Sequence, residues 1–329
     1  MSLKRILLPT ALIAISATTF TACTRNEINC VLGGKKPDSC NLYQSDTSAA
    51  NYDEDVIILG DSMWDYGEPH GAIPLELINL SGTVYFDLSR SGADGAYIRE
   101  KEIPRIPGQD SNNMTVKTIL ISGGANDVRE PCEINVPNEG DNTTVDTLTN
   151  DCIAGMVKAS TAVELVLSEL HKINSLEHII WGGLIYFPSN EYSPAVIDSI
   201  VDGGISYLDE NDQLRTLVGL KDRCENPTAQ YDAPNKCYYT DLRFNAFDSF
   251  GNPLAESNYS LLWAEPDAET QAIEGEELCP GVQGSNTAGK YARCYLFDGT
   301  HVNVAGARKS AEQLWYMMEN IGAYRLKTD

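Results

Sequence analysis

The feature that most constrains the fold is a series of short, unbroken apolar runs. Val56-Ile57-Ile58-Leu59 ends at Gly60, and similar runs span Thr83 to Asp87, Thr118 to Ser122 and His178 to Gly182, with a weaker one from Cys237 to Thr240. Runs this short, without polar alternation, suit strands covered on both faces. Helical periodicity lies between several of them. From Ala159 to Ile173, the residues Ala162, Val163, Val166, Leu167 and Leu170 fall on one face. A last helix, capped by Asn303 and running to about Ile321, turns Ala307, Ala311, Leu314, Trp315 and Met318 inward. Strands alternating with helices predict an α/β fold with a parallel sheet between helical layers. Ligands in such folds bind beyond the carboxyl ends of the strands.

Polar segments stand where those ends are expected. Gly60-Asp61-Ser62 follows the first run, Ser91-Gly92 the second and Gly124-Ala125-Asn126-Asp127 the third, while Asp298-Gly299-Thr300-His301 precedes the last helix. Alone, each is ordinary: Gly-Asp-Ser reads as a turn capping a helix, and Asp and His often fall three apart. Together, in this order and on these loops, they offer a nucleophile, oxyanion donors and a base. A serine hydroxyl attacks only when a base takes its proton. Of four histidines, His171 and His178 lie on a helix and at a strand entrance, where structural roles are ordinary. His70 lies near Ser62 in sequence but has no carboxylate spaced to orient it. His301 has Asp298, one turn away, to hold the ring as a triad acid does. Asp61 and Asp127 read as turn braces bonded to backbone N–H groups. Trp64 and Tyr66 read equally as a wall of the acyl pocket or as core, and Asp241 with Arg243 as a structural ion pair.

Over roughly Asp55 to Leu314 the chain resembles the GDSL, or SGNH, serine hydrolases. Ile58-Leu59-Gly60-Asp61-Ser62-Met63 matches the first block, with Met63 where the family name has Leu. Ser91-Gly92 matches the second, with Gly95 as an alternative glycine. Gly124-Ala125-Asn126-Asp127 matches the third, and Asp298-Gly299-Thr300-His301 the last, with Val302 where Pro is frequent. The resemblance implies a three-layer α/β/α sandwich with a five-stranded parallel sheet, flavodoxin-like in outline. It also implies Ser62 as nucleophile, His301 as general base, Asp298 as its orienting acid, and an oxyanion hole from the N–H groups of Ser62 and Gly92 and the Asn126 amide. The activity implied is cleavage of carboxylic esters through an acyl-enzyme, with no metal or organic cofactor. The substrate would be a small-molecule, glycan or lipid ester, and short acyl chains are favoured because no long apolar lid stands out. A carbohydrate O-deacetylase is the alternative within the class. A non-catalytic surface lipoprotein that binds a glycan or a partner is the alternative outside it.

The amino-terminal residues bear on location. Lys4 and Arg5 precede an apolar stretch from Ile6 to Ala22, interrupted by Pro9 and threonines, which reads as a signal peptide over residues 1–22. A membrane span wants roughly 20 mostly apolar residues. Ala22-Cys23 resembles the cleavage point of a bacterial lipoprotein, with Cys23 the acylated residue, Phe20 replacing the usual Leu and Thr24, which is not Asp, implying the outer membrane in a host with two membranes. A periplasmic or secreted protein is the alternative. Setting Cys23 aside, the nine cysteines leave an even number in an exported chain. They fall into neighbouring couples: Cys30 with Cys40, Cys132 with Cys152, Cys224 with Cys237, and Cys279 with Cys294. No Cys-x-x-Cys or His-Glu-x-x-His spacing points to zinc. A formal charge of −23, without a basic patch, excludes nucleic acid as a partner and reads as a solubility feature. The expected organisation is a tether over residues 23–52 and a hydrolase domain over 53–329. An insertion near 251–293 is placed to shape specificity.

Overall fold

The computed structural model describes residues 52–65, 73–82, 84–107, 116–132, 148–184, 194–226, 236–245, 260–261 and 304–323. All of them belong to the unit Asn51–Asp329. The expected signal peptide, Cys23 and the Cys30–Cys40 couple lie outside the described residues, as do Cys279 and Cys294.

In chain order the first elements are β1 (Tyr52–Leu59), α1 (Ile73–Ser81) and β2 (Val84–Asp87). A helical stretch then passes from α (Gly95–Tyr97) through π (Ile98–Glu102) to 3-10 geometry (Ile103–Arg105). There follow β3 (Thr118–Ile121), α2 (Ala125–Cys132), α3 (Asn150–Leu170), β4 (His178–Gly182), α4 (Pro194–Asp202), β5 (Gly203–Leu208) and β6 (Leu214–Val218). The last are α5 (Leu220–Glu225), β7 (Lys236–Thr240), β8 (Phe244–Asn245), β9 (Ser260–Leu261) and α6 (Val304–Ile321).

The five-stranded sheet runs β2-β1-β3-β4-β7, with every pair parallel. From β1 the chain first steps outward to β2, then reverses and fills the other side. Right-handed crossovers therefore put α1 on one face and the later crossover helices on the other. Consistent with this, α6 packs on α1, while α2, α3 and α5 pack together. The result is the α/β/α sandwich, and the reversal leaves a crevice between the carboxyl ends of β1 and β3.

Burial explains which strands announce themselves. Val56 to Leu59, Ile119 to Ile121 and Ile179 to Trp181 are buried on both faces. At the edges one face is wetter: β7 opens on exposed Lys236 before buried Cys237, and in β2 Phe86 and Asp87 are only half-buried. The weak run at Cys237 is thus an edge strand.

Several boundaries differ from the sequence expectation. β1 begins at Tyr52, with an irregular register between Asp53 and Ile57. α3 begins at Asn150, where the Thr149 hydroxyl accepts the Cys152 N–H at 3.1 Å. Its first turns bury Cys152, Gly155 and Met156, and a Cβ on Gly155 would strike Pro131 of α2. Small and sulfur-bearing residues make that face inconspicuous. In the second half Val163, Val166, Leu167 and Leu170 are buried as expected, and Ala162 is half-buried. In α6, Ala307, Ala311, Leu314 and Met318 are buried and Trp315 is half-buried, while Asn303 lies outside the described residues.

The antiparallel hairpin β5–β6 has no counterpart in the sequence reading. It stands apart from the main sheet, and its burial alternates along β5. Of the segment read as an insertion, only β9 is described, paired with β8. Two disulfides are present among the described residues. Cys132–Cys152 joins the end of α2 to the start of α3, and Cys224–Cys237 joins α5 to β7.

Candidate active site

The chain leaves β1 in a tight turn. Trp64 N–H donates to the Asp61 carbonyl at 3.1 Å, so Ser62 and Met63 are the central residues. The buried Asp61 carboxylate braces this turn: Oδ1 accepts Met63 N–H at 3.2 Å and the Ser122 hydroxyl at 2.9 Å. Asp61 N–H in turn donates to Ser122 Oγ at 3.2 Å. Ser62 itself is half-buried. Trp64 is core, since a Cβ on Gly182 of β4 would run into its ring; Tyr66 lies outside the described residues.

Gly60 makes the turn possible. Its φ is +138°, and a Cβ would overlap Ser122 Oγ and stand 2.9 Å from Ser122 N and O. Leu59 pairs with Ile121 in register, so Gly60 and Ser122 leave the sheet side by side. Only a residue without a side chain allows that approach.

The loop after β2 is tied to this turn. Arg90 N–H donates to Gly60 O at 2.8 Å, and Ser91 N–H to Asp65 Oδ2 at 2.8 Å. Gly92 is exposed, at φ +78°, with nothing within 4 Å of where a Cβ would stand. The loop after β3 closes the arrangement. Gly124, at φ +106°, leads into α2, and Asn126 Nδ2 donates to Ala93 O at 2.9 Å, which spends one of its two amide hydrogens. Asp127 reaches across rather than bracing its own turn: Oδ2 accepts Gly95 N–H at 3.0 Å. Gly95 is buried and its N–H is committed, whereas Gly92 faces outward.

The loops carrying Ser62, Gly92 and Asn126 therefore converge at the carboxyl ends of β1, β2 and β3. Asp298 and His301 lie outside the described residues, as does His70. The two remaining histidines are placed away from this edge. His178 opens β4 at its amino end, and His171 caps the carboxyl end of α3.

Two carboxyl groups near the site are unusual. Asp127 is buried, and desolvation pushes its pKa up against the pull of the Gly95 N–H; Asp94 raises it further and Lys158, 4.0 Å away, lowers it. Glu102 is 0% exposed, and burial pushes its carboxyl up to about 9 despite the Gly60 N–H that it accepts at 2.8 Å. Among the described residues no group of His, Cys, Asp and Glu is arranged to hold a metal ion.

No protein family matches the sequence, and no curated protein matches it. Among solved structures the chain is similar to a carbohydrate esterase family 3 from Talaromyces cellulolyticus, at 14% identity and TM-score 0.40, over 82% of this chain and 99% of that one. It is similar to the C-terminal catalytic domain of peptidoglycan O-acetyltransferase A from Streptococcus pneumoniae, at 11% identity and TM-score 0.35, over 83% and 97%. It is also similar to an acetyl xylan esterase from the rumen bacterium Butyrivibrio proteoclasticus, at 12% identity and TM-score 0.38, over 84% and 66%.

Sequence reasoning passed over Ser122 and Glu102. Glu102 sits in Ile98-Arg99-Glu100-Lys101-Glu102-Ile103, which resembles a solvated charged face. The available signal is its spacing of four from buried Ile98 and its adjacency to buried Ile103.

Away from this site, Arg243 follows the end of β7 and is almost wholly buried. Its guanidinium donates to Asp241, to Asp202 and to Asp198 at 2.6 to 2.9 Å. The sequence reading named only Asp241; the other two come from α4.

Proposed function

We propose that the chain is a serine hydrolase of carboxylic esters, acting through an acyl-enzyme on Ser62. The observation that carries the reading is the convergence of a half-buried serine at the centre of a braced turn, an exposed glycine loop and an asparagine amide. Hydrogen bonds tie their loops together at the crevice where the strand order reverses. Ser62 Oγ attacks the ester carbonyl while His301, oriented by Asp298, takes its proton. The developing oxyanion is met by the N–H groups of Ser62 and Gly92 and by the second amide hydrogen of Asn126. Gly92 is preferred to Gly95 because Gly95 N–H is already bonded to Asp127. The amino terminus of α2, which carries Asn126, adds a favourable dipole for negative charge. His301 then returns the proton to the leaving alcohol, and water, activated by the same base, cleaves the acyl-enzyme.

The substrate class is a short-acyl ester. Two disulfides favour an oxidising compartment, in keeping with export and with lipidation at Cys23 as the proposed anchor. The test uses protein lacking residues 1–22, exposed to a fluorophosphonate probe and a short p-nitrophenyl ester beside Ser62→Ala and His301→Ala. Wild type is expected to label at Ser62 and turn over, and each variant to lose activity by about 10,000-fold or more. An unlabelled wild type, or an active Ser62→Ala, overturns the reading.

A further inference from the structure

Gly60 is gripped at both of its peptide groups. Its carbonyl accepts Arg90 N–H, and its N–H donates to Glu102 Oε2 at 2.8 Å, across 42 positions of sequence. Glu102 is delivered by the π-helical turn Ile98–Glu102, an uncommon geometry whose extra residue places a carboxyl group inside the protein. Two residues after Gly60 stands Ser62. Resting on the esterase reading of Ser62, we propose that Glu102 is a positioning residue, its carboxyl group fixing the Gly60 peptide and thereby the direction in which the nucleophile turn leaves β1.

The surroundings select the neutral acid. Glu102 Oε1 is buried with no hydrogen-bond partner among the described residues. The charged groups facing the carboxyl are Asp61 on the nucleophile turn, Asp87 at the end of β2 and Arg105 on the 3-10 turn. Burial dominates, both carboxylates add to it, and Arg105 offsets only part, so the proton is held up to about pH 9. Ionisation would set a third negative charge beside Asp61, which braces the Ser62 turn, and close to where the oxyanion forms. Activity therefore falls as Glu102 ionises, giving an alkaline limb separate from the rise expected of a histidine base near pH 6.5.

Glu102→Gln keeps an acceptor for Gly60 N–H but cannot ionise. Glu102→Ala removes the acceptor and leaves that N–H unpaired in the core. Ester hydrolysis is measured from about pH 6 to about pH 10 for both variants and wild type. For Glu102→Gln the expectation is near-wild-type kcat at neutral pH and loss of the alkaline limb near pH 9. For Glu102→Ala it is a kcat lower by about 100-fold with KM little changed, as for a misaimed nucleophile. Thermal melts provide a readout independent of turnover. A raised carboxyl contributes stability that is complete below the ordinary value of 4.5 and is lost as pH rises toward about 9. Wild type should lose melting temperature relative to Glu102→Gln across that window. An alkaline limb unchanged in Glu102→Gln overturns the role, as does an unchanged kcat in Glu102→Ala. If Glu102→Ala does not fold, the Glu102→Gln profile decides alone. Absence of Ser62 labelling in wild type overturns the esterase reading and the positioning role together, whereas labelling with an unaltered Glu102→Gln profile overturns the role only.

Discussion

Substituting Gly60 by alanine separates two reasons for needing glycine, with Gly92→Ala as the control. Both positions have positive φ, +138° and +78°. At Gly92 a Cβ would meet nothing within 4 Å, so its cost is the left-handed backbone alone, about 1 to 2 kcal/mol. At Gly60 the backbone region is one that side chains hardly enter, which costs about 1 to 3 kcal/mol. A Cβ there would also stand 2.9 Å from both Ser122 N and Ser122 O, which are backbone atoms that cannot rotate away. Relief requires β1 and β3 to part at their carboxyl ends, where Ser122 N–H donates to Leu59 O at 3.3 Å. Overpacking of that kind adds about 1 to 3 kcal/mol. Gly60→Ala should thus lose about 2 to 6 kcal/mol, a large share of the stability of an ordinary domain, and should move Ser62. Equilibrium unfolding in guanidinium chloride measures the loss, and fluorophosphonate labelling reports on Ser62 as the proposed nucleophile. A Gly60→Ala loss no larger than that of Gly92→Ala, with labelling intact, would refute the close approach of Gly60 to Ser122 as the reason for glycine.

Asp127→Asn keeps an acceptor for Gly95 N–H while removing a charge that burial disfavours. Because the Asp127 pKa is raised, its contribution to stability is full below about 3.8 and declines as pH rises through the folded value. Melts should then show the variant gaining on wild type between acid and neutral pH, and an equal difference at both would count against the desolvated carboxylate. Arg243→Lys should destabilise by about 2 to 3 kcal/mol, because an ammonium cannot reproduce five N–H bonds to Asp241, Asp202 and Asp198. Denaturant midpoints would measure it, and a neutral outcome would mean that the fork geometry is unimportant.

How readily each element could be read from sequence follows from how it is buried. Val56 to Leu59, Ile119 to Ile121 and Ile179 to Trp181 stand out because a central parallel strand has no wet face. The hairpin β5–β6 has no buried apolar run to mark it, since every second residue of β5 is exposed, β6 opens with three exposed residues, and Leu208 and Leu214 remain 63% and 73% exposed. α2, with Asn126, Asp127, Arg129, Glu130 and Pro131 in eight residues, offers little apolar period. It is secured from outside, by α3 and by the Cys132–Cys152 bond.

Local chain chemistry by itself determined the α/β class, the central strands and the placement of Ser62, Gly92 and Asn126 at strand ends, because apolar runs and the turns that stop them are properties of neighbouring residues. Only the tertiary structure gave the N–H of Gly95 to Asp127, 32 positions away, which is the ground for proposing Gly92 as the oxyanion donor. It alone put Ser122 against Gly60 and Asp61, and Glu102 behind the turn that carries Ser62. Those contacts are hydrogen bonds between segments that meet only once the sheet has formed. No local periodicity encodes such a partner, because its distance along the chain is set by the crossovers between strands.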